Sequence, residues 1–158
     1  MSMSPAFAET LALVDPYVHR SNFLVRDIDR ALRLYRDILG FKVNALVPVK
    51  SESFMYDVFN IDRTARMRIA FLSSPDSRFG AIGMTEVKGI DLPPAATVFP
   101  SALIVEIKGR FESVYDQIRA ANLDVGRVYE LTNPARREFL VTDVDGHRII
   151  IMQLHAAD

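Results

Sequence analysis

The stretch FLVRDIDRALRLYRDILGFKV, residues 23–43, contains the end of one predicted strand, a helix and the start of a second strand. Asp27 is an acceptable helix N-cap, and apolar residues recur at helical spacing as far as Leu39. Gly40 then supplies the left-handed stop of a helix C-terminus. Read outward from this stretch, the sequence predicts a helix over 27–39 and strands over 17–25, 41–49, 66–72 and 81–87.

The same order of elements occurs a second time. A helix is predicted over about 110–121, with strands over 101–107, 123–131, 137–142 and 148–154. The interval from Gly40 to Asn122 equals the interval from Val25 to Ile107, as expected for a repeat. In the second copy, Asp145-Gly146 is a favoured hairpin turn. We therefore predict an α+β fold of two βαβββ modules, forming a curled mixed sheet with a concave ligand trough.

The repeat divides the chain into four parts. Residues 1–16 form an N-terminal tail or short helix, 17–87 the first module, 88–100 a Pro-rich linker and 101–155 the second module. Proline in the linker disfavours both helix and central strand there.

Composition excludes several classes of function. The chain has 158 residues, of which 49% are hydrophobic and 25% charged, as in an ordinary globular protein. It contains no cysteine, which excludes disulfides, thiolate metal sites and cysteine nucleophiles. A net charge of −1 provides no field for nucleic acid or anionic lipid, and no apolar run reaches membrane-spanning length. We expect a cytoplasmic protein that binds neither nucleic acid nor membrane.

Two segments resemble a known family. The stretch at 23–43 resembles the leading motif of the vicinal oxygen chelate superfamily, the glyoxalase, bleomycin-resistance and extradiol-dioxygenase group. VTDVDGHRIIIMQL, residues 141–154, resembles its closing hairpin, with Val144 where proline is usual. The resemblance extends over residues 17–154 and implies the fold and a homodimer. It does not imply one reaction, because this scaffold carries many chemistries.

The resemblance also implies where a metal would be bound. The four ligand positions of the family fall on Arg20, Gly83, Ala102 (or its neighbours Ser101 and Leu103) and Ile150. Arginine is a permanent cation, and glycine, alanine and isoleucine offer no donor atom. We therefore predict no metal and no cofactor.

Strand alternation predicts which side chains face the trough. We predict substrate-binding residues at Arg20, Asn22, Arg68, Ile104, Ile150 and Met152, with Met67, Ile69 and Phe71 in the core. Arg20, together with Arg66 or Arg68, suits a carboxylate or similar anion. Alternatively, Glu106 or Glu138 pairs with these arginines and neutralises them.

Two functions follow from these residues. The first is a metal-independent protein that binds a small anionic or aromatic molecule. The second is a lyase or dioxygenase with a relocated metal site or metal-free acid–base chemistry, using His19 and Glu138 with Tyr56 as a donor. Residues 50–65 either pack against the trough wall or form a lid over an apolar ligand. His147, directly after the hairpin turn, is expected to be solvated.

Overall fold

A computed structural model describes residues 19–76, 80–94, 101–132 and 135–155 of the chain. The predicted residues 1–16 lie outside the described part, as do residues 95–100 of the linker. The first module contains two helices, α1 (Ile28–Leu32) and α2 (Met55–Val58), and four strands, β1 (Arg20–Val25), β2 (Lys42–Pro48), β3 (Arg66–Ser73) and β4 (Ala81–Lys88). The second module contains helix α3 (Phe111–Ala120) and five strands, β5 (Leu103–Glu106), β6 (Asp124–Val125), β7 (Tyr129–Thr132), β8 (Ala135–Thr142) and β9 (Arg148–Leu154).

The two sheets share one topology, which confirms the predicted α+β fold. The first sheet has the order β1-β4-β3-β2, and the second has the order β5-β9-β8-β6 with β7 also pairing with β8. In each sheet the first and last strands of the module are parallel neighbours, and the other pairs are antiparallel. The strand predicted over 123–131 is two short strands that both pair with β8. Val125 lies opposite Val141 and Tyr129 opposite Glu138, so the chain between them has one residue more than β8 and the ladder is interrupted.

The predicted helix boundaries are confirmed, although the helix of the first module is not uniform. The Asp27 side chain accepts a hydrogen bond from the backbone N–H of Arg30, which lowers the pKa of this carboxyl. After α1 the chain continues as a π-helix over Arg33–Ile38, where the N–H of Leu39 bonds the carbonyl of Leu34 at 2.9 Å. Gly40 and Asn122 both adopt positive φ, at 87° and 55°, and so end the two helices. Among the described residues, no helix has the length and apolarity needed to cross a membrane.

One apolar core joins the modules through their helix-covered faces. It contains residues from α1 and its π-helical continuation, from α3 and from both sheets, including Ile28, Tyr35, Ile82, Met84, Ile107, Phe111, Ile118, Phe139, Ile149 and Ile151. Burial of this much apolar area is the main stabilising contribution to the fold. The modules are therefore two halves of a single hydrophobic core.

The opposite face of the first sheet is partly covered by residues 50–65. Tyr56 and Ala65 form a second buried cluster with Met67 and Val87, and Leu24, Met55 and Ile61 pack against it. The hydroxyl of Tyr56 donates to the carbonyl of Ala65 at 3.0 Å. Of the two alternatives for this segment, the structure supports packing against the trough wall.

The predicted orientation of β3 is wrong. Ala70 and Leu72 belong to the core under the helices, whereas Met67 belongs to the cluster on the trough side. Phe71 lies on that trough side as well, beneath Arg20. Because both faces of β3 are covered by apolar residues, the alternation of polar and apolar residues does not reveal which face is which.

A turn of the second module is hydrogen-bonded to the first module. The buried Asp143 accepts a hydrogen bond from the hydroxyl of Tyr35 at 2.8 Å and others from the backbone N–H groups of Asp145 and His147. His147 Nε2 donates to the carbonyl of Leu24 at 2.7 Å. The expectation that His147 is solvated is therefore wrong, because the turn packs against the end of β1.

The same turn holds a second carboxylate at the interface. Asp145 accepts from the backbone N–H of Arg26 at 2.8 Å, and its side chain is only 3% exposed. Burial raises the pKa of Asp145, and the neighbouring Asp143 raises it further. Burial and Asp143 likewise raise the pKa of Tyr35 well above its ordinary value, so its hydroxyl keeps its proton and acts as the donor.

Removing the Tyr35 hydroxyl should weaken this junction. Tyr35→Phe leaves a buried carboxylate oxygen of Asp143 without its donor, so we expect a loss of about 1.5–3 kcal/mol in the free energy of unfolding. Urea denaturation followed by circular dichroism measures the loss.

Tyr115→Phe is the matched control for this variant. Its hydroxyl donates at 3.3 Å to the carbonyl of Gly126 at an exposed position. We expect that control to change the free energy of unfolding by less than about 0.5 kcal/mol. Equal losses in both variants would contradict the importance of the buried bond.

Candidate ligand-binding site

A cleft of about 830 Å³ lies between the edges of the two modules. β1 pairs only with β4 and β5 only with β9 within the described sheets, so both are edge strands, and both line the cleft. Its lining includes Arg20 and Ser21 on one side, all of β5 on the other, and Ser74, Pro75 and Asp76 from the loop after β3. A cleft of this volume is typical of small-molecule sites.

Arg20 is the cation at the first-module side of this cleft. Its guanidinium carbon lies 4.6 Å from the centre of the Phe71 ring, a cation–π contact that orients the side chain. Within the described part of the chain, Arg20 makes no hydrogen bond and no ion pair through its side chain. The donor face of the guanidinium is therefore available to a ligand, and the predicted pairing of Arg20 with a glutamate does not occur there.

Asn22 lies two residues further along the same face of β1. The buried hydroxyl of Thr85 donates to Asn22 Oδ1 at 3.1 Å. Its amide group also occupies the space beside Gly83, where an added Cβ would lie 3.0 Å from Asn22 Cγ and Oδ1. A side chain at position 83 would therefore require the Asn22 amide to shift by a few tenths of an ångström.

The four family ligand positions do not fit a divalent cation here. Arg20 carries a positive charge, the space at Gly83 holds the Asn22 amide, and Ile150 lies between Ile104 and Leu140 in the sheet. Ala102, directly before β5, has no donor atom in its side chain. In the described ranges no group of three or more His, Asp and Glu side chains could hold a metal ion.

The structure brings only some of the predicted binding residues to the cleft. Arg20 and Ile104 line the cleft, and Ile104 is 60% exposed. Ile150 and Met152 are the cross-strand neighbours of Ile104 and Glu106 and continue the same face of the second sheet. The site roles of these residues stay predictions.

Arg68 does not lie where the sequence predicts. Its guanidinium binds Glu86 through Nε at 2.7 Å and Asp29 through Nη2 at 2.9 Å, both on the helix-covered side of the first sheet. Glu86 also accepts from the N–H of Ile28 at the start of α1, at 2.9 Å. Burial alone raises the pKa of Glu86, but these donors hold it below its usual value. The placement of Arg68 in the trough is wrong, and the residue anchors the helix N-terminus instead.

The three candidate catalytic residues lie in different parts of the fold. His19 is exposed and immediately precedes β1. Tyr56, within residues 50–65, is buried in the cluster that covers the trough side of the first sheet. Glu138, in β8, forms an ion pair with Arg136 at 2.9 Å. None of the three lines the cleft. Their catalytic roles stay predictions.

Sequence reasoning missed two features of the cleft. Phe71 is predicted in the core but supports Arg20, and the segment with Asp76, between the strands predicted over 66–72 and 81–87, is given no role in the site. The repeat contains a signal for the loop. Because the turn at 143–147 packs on β1 of the other module, its counterpart after β3 should lie beside β5, as it does.

The comparisons with known proteins agree with this architecture. A model of the Glyoxalase/Bleomycin resistance protein/Dioxygenase superfamily matches residues 17–151. The chain therefore has the βαβββ-repeat fold of that class, and it belongs to the Glyoxalase/Bleomycin resistance protein/Dioxygenase superfamily. None of the curated proteins compared with the chain matches it significantly.

Solved structures show the same fold at low identity. A glyoxalase family protein from Bacillus cereus is 14% identical with a TM-score of 0.72, covering 94% of this chain and 99% of that one. A glyoxylase/bleomycin resistance protein/dioxygenase domain from Frankia sp. is 16% identical with a TM-score of 0.67, covering 90% and 94%. The fosfomycin resistance protein FosX from Listeria monocytogenes, solved with Mn(II) and sulfate, is 11% identical with a TM-score of 0.60, covering 89% and 93%.

The close packing of Gly83 and Asn22 can be tested by mutation. We expect Gly83→Ala to lower the free energy of unfolding by about 1–3 kcal/mol, because the new methyl would lie only 3.0 Å from the Asn22 amide. In an Asn22→Ala background the cost of the same change should fall sharply, and a denaturation double-mutant cycle measures this coupling.

Gly126→Ala is the control for a glycine substitution with room for the methyl group. Its added Cβ meets its nearest neighbour, the carbonyl oxygen of Leu140, at 3.6 Å, an ordinary contact. We expect a change within about 0.5 kcal/mol. A cost of Gly83→Ala that persists unchanged without the Asn22 amide would refute the packing argument.

Proposed function

We propose that this protein binds a small anionic molecule with an apolar part in the cleft between its modules, and that Arg20 holds the anionic group. The observation that carries the proposal is the Arg20 guanidinium, which is stacked on Phe71, lines the cleft and has no ion-pair partner in the described part of the chain. A planar, permanently charged donor fork suits a carboxylate or a related oxyanion.

The walls of the cleft support an apolar part in the ligand. Phe41, Leu103 and Ile104 contribute apolar side chains to the lining. Burial of apolar ligand surface against such walls contributes affinity, while the charged group fixes orientation. Recognition in this arrangement needs no reacting group from the protein.

We propose further that binding is independent of a divalent metal. The support is the donor chemistry of the four family positions, where Arg20, Gly83, Ala102 and Ile150 stand. Arg20 would then contribute the positive charge at the trough that a metal contributes in a metal-dependent relative. This exchange keeps an anion-attracting site while removing a Lewis acid.

We also propose that the protein forms a homodimer. Outside the cleft, Tyr129 and Leu154 of the second sheet are exposed large apolar residues. Exposed apolar surface of this kind favours association between protein chains. A second copy of the chain is the partner that the family resemblance implies.

Substitution of Arg20 tests the binding proposal. With 3-phenylpropanoate as the probe, monitored by NMR chemical-shift titration, we expect Arg20→Gln to weaken binding at least tenfold, about 1.4 kcal/mol. Thermal stability should stay near that of the wild type, because the Arg20 side chain forms no ion pair with the described residues.

Arg66→Gln is the matched control for this experiment. It removes the same charge from an exposed residue of β3 that does not line the cleft. The control should bind the probe as the wild type does. An Arg20→Gln variant with an unchanged dissociation constant would refute the proposal.

Metal analysis tests the second part of the proposal. We expect protein purified without chelator or added metal to contain less than about a tenth of an equivalent of Mn, Fe, Ni or Zn. Added divalent cations should not raise the melting temperature above that of the same protein in EDTA. A stoichiometric transition metal, or a clear stabilisation by one cation, would contradict metal independence.

A further inference from the structure

Glu106 presents a negative charge to the same cleft as Arg20. It lies in β5 on the trough-facing side, next to Met152 of β9 and two residues after Ile104. It is exposed, and within the described ranges it forms no ion pair and no side-chain hydrogen bond. The sequence left open whether Glu106 neutralises an arginine of the trough, and within the described residues it does not.

Arg20 and Glu106 therefore line one cleft without neutralising each other. Each stands on the edge strand of its own module, so the gap between β1 and β5 separates them. Two opposite charges within reach of each other normally pair, since even an exposed pair is weakly favourable. Asp76 and Lys108 also line the cleft, but Arg20 and Glu106 are the charged residues on its two edge strands. Unpaired opposite charges on facing strands form a site for a molecule that carries both complementary charges.

The surroundings of each charge define the rest of the ligand. The lining that contains Arg20 and Glu106 also contains Phe41, Leu103 and Ile104, so apolar surface adjoins both charged groups. A ligand that carried only two charges would leave this surface uncovered. An aromatic or aliphatic body would contribute affinity through burial against it.

We propose that the ligand is zwitterionic, with a carboxylate or similar anion at Arg20, an ammonium group at Glu106 and an apolar body against Leu103 and Ile104. This inference rests on the proposed function, since it takes the same cleft and the same Arg20 contact. It adds the class of molecule: an amino-carboxylate with an aromatic or aliphatic body. The charge-assisted hydrogen bond at Glu106 selects such molecules over simple acids.

Matched probes test the ammonium group alone. Phenylalanine is compared with 3-phenylpropanoate, and 4-(aminomethyl)benzoate with 4-methylbenzoate, so that the two pairs place the ammonium near to and far from the carboxylate. In at least one pair we expect the zwitterion to bind the wild type about fivefold more tightly than its partner acid. NMR chemical-shift titration at constant ionic strength measures the dissociation constants.

Glu106→Gln should abolish this preference while leaving the partner acids at wild-type affinity. Asp76→Asn is the matched control, because it removes a negative charge from the loop on the same cleft without altering either edge strand. The preference should persist in that control. If Asp76→Asn removes it as fully as Glu106→Gln does, the assignment to Glu106 is overturned in favour of a general negative field.

The outcomes separate this inference from the proposed function. If acids and zwitterions bind equally and Glu106→Gln changes neither, the inference fails, while a loss of acid binding in Arg20→Gln still supports the proposed function. If Arg20→Gln binds all four probes as the wild type does, the proposed function fails. If none of the four probes binds at millimolar concentration, both fail.

Discussion

The carboxylate of Asp143 is the interaction on which the relation between the two modules depends. It is buried, and it accepts hydrogen bonds from the Tyr35 hydroxyl of one module and from two backbone N–H groups of its own turn. A buried carboxylate is tolerated only when such donors surround it. The turn is therefore fixed in shape and at the same time attached to the first module, where His147 extends the attachment to β1.

The cleft is a consequence of that junction. Because the turn holds one end of β1 and the helices share one core, the free edges of β1 and β5 are held beside each other without forming a continuous ladder. Side chains on the trough faces of these edges then line a common space. Arg20 and Glu106 come from different modules, so neither module alone could form the proposed site.

The repeat and the helix termini could be predicted because each depends on local chemistry. Asp27 caps a helix, Gly40 and Asn122 adopt positive φ, and each of these roles needs only the residue and its near neighbours. Arg20 and Ile104 could be placed because their strands alternate between a covered and an open face. Phe71 and Arg68 could not, because β3 has apolar cover on both sides. The partners that settle its orientation, Asp29 and residues 55–65, are distant in sequence.

The residues at the family metal positions are also linked to one another and to their neighbours by packing and charge. A donor side chain at position 83 would need the space that the Asn22 amide occupies, and Thr85 holds that amide in place. Arginine at position 20 would repel a cation bound nearby, whereas it attracts an anion. Restoring one metal ligand would therefore restore no site, because the remaining residues are arranged around an amide and a guanidinium. This arrangement of an amide and a guanidinium supports the proposal that the trough recognises charge on an organic molecule.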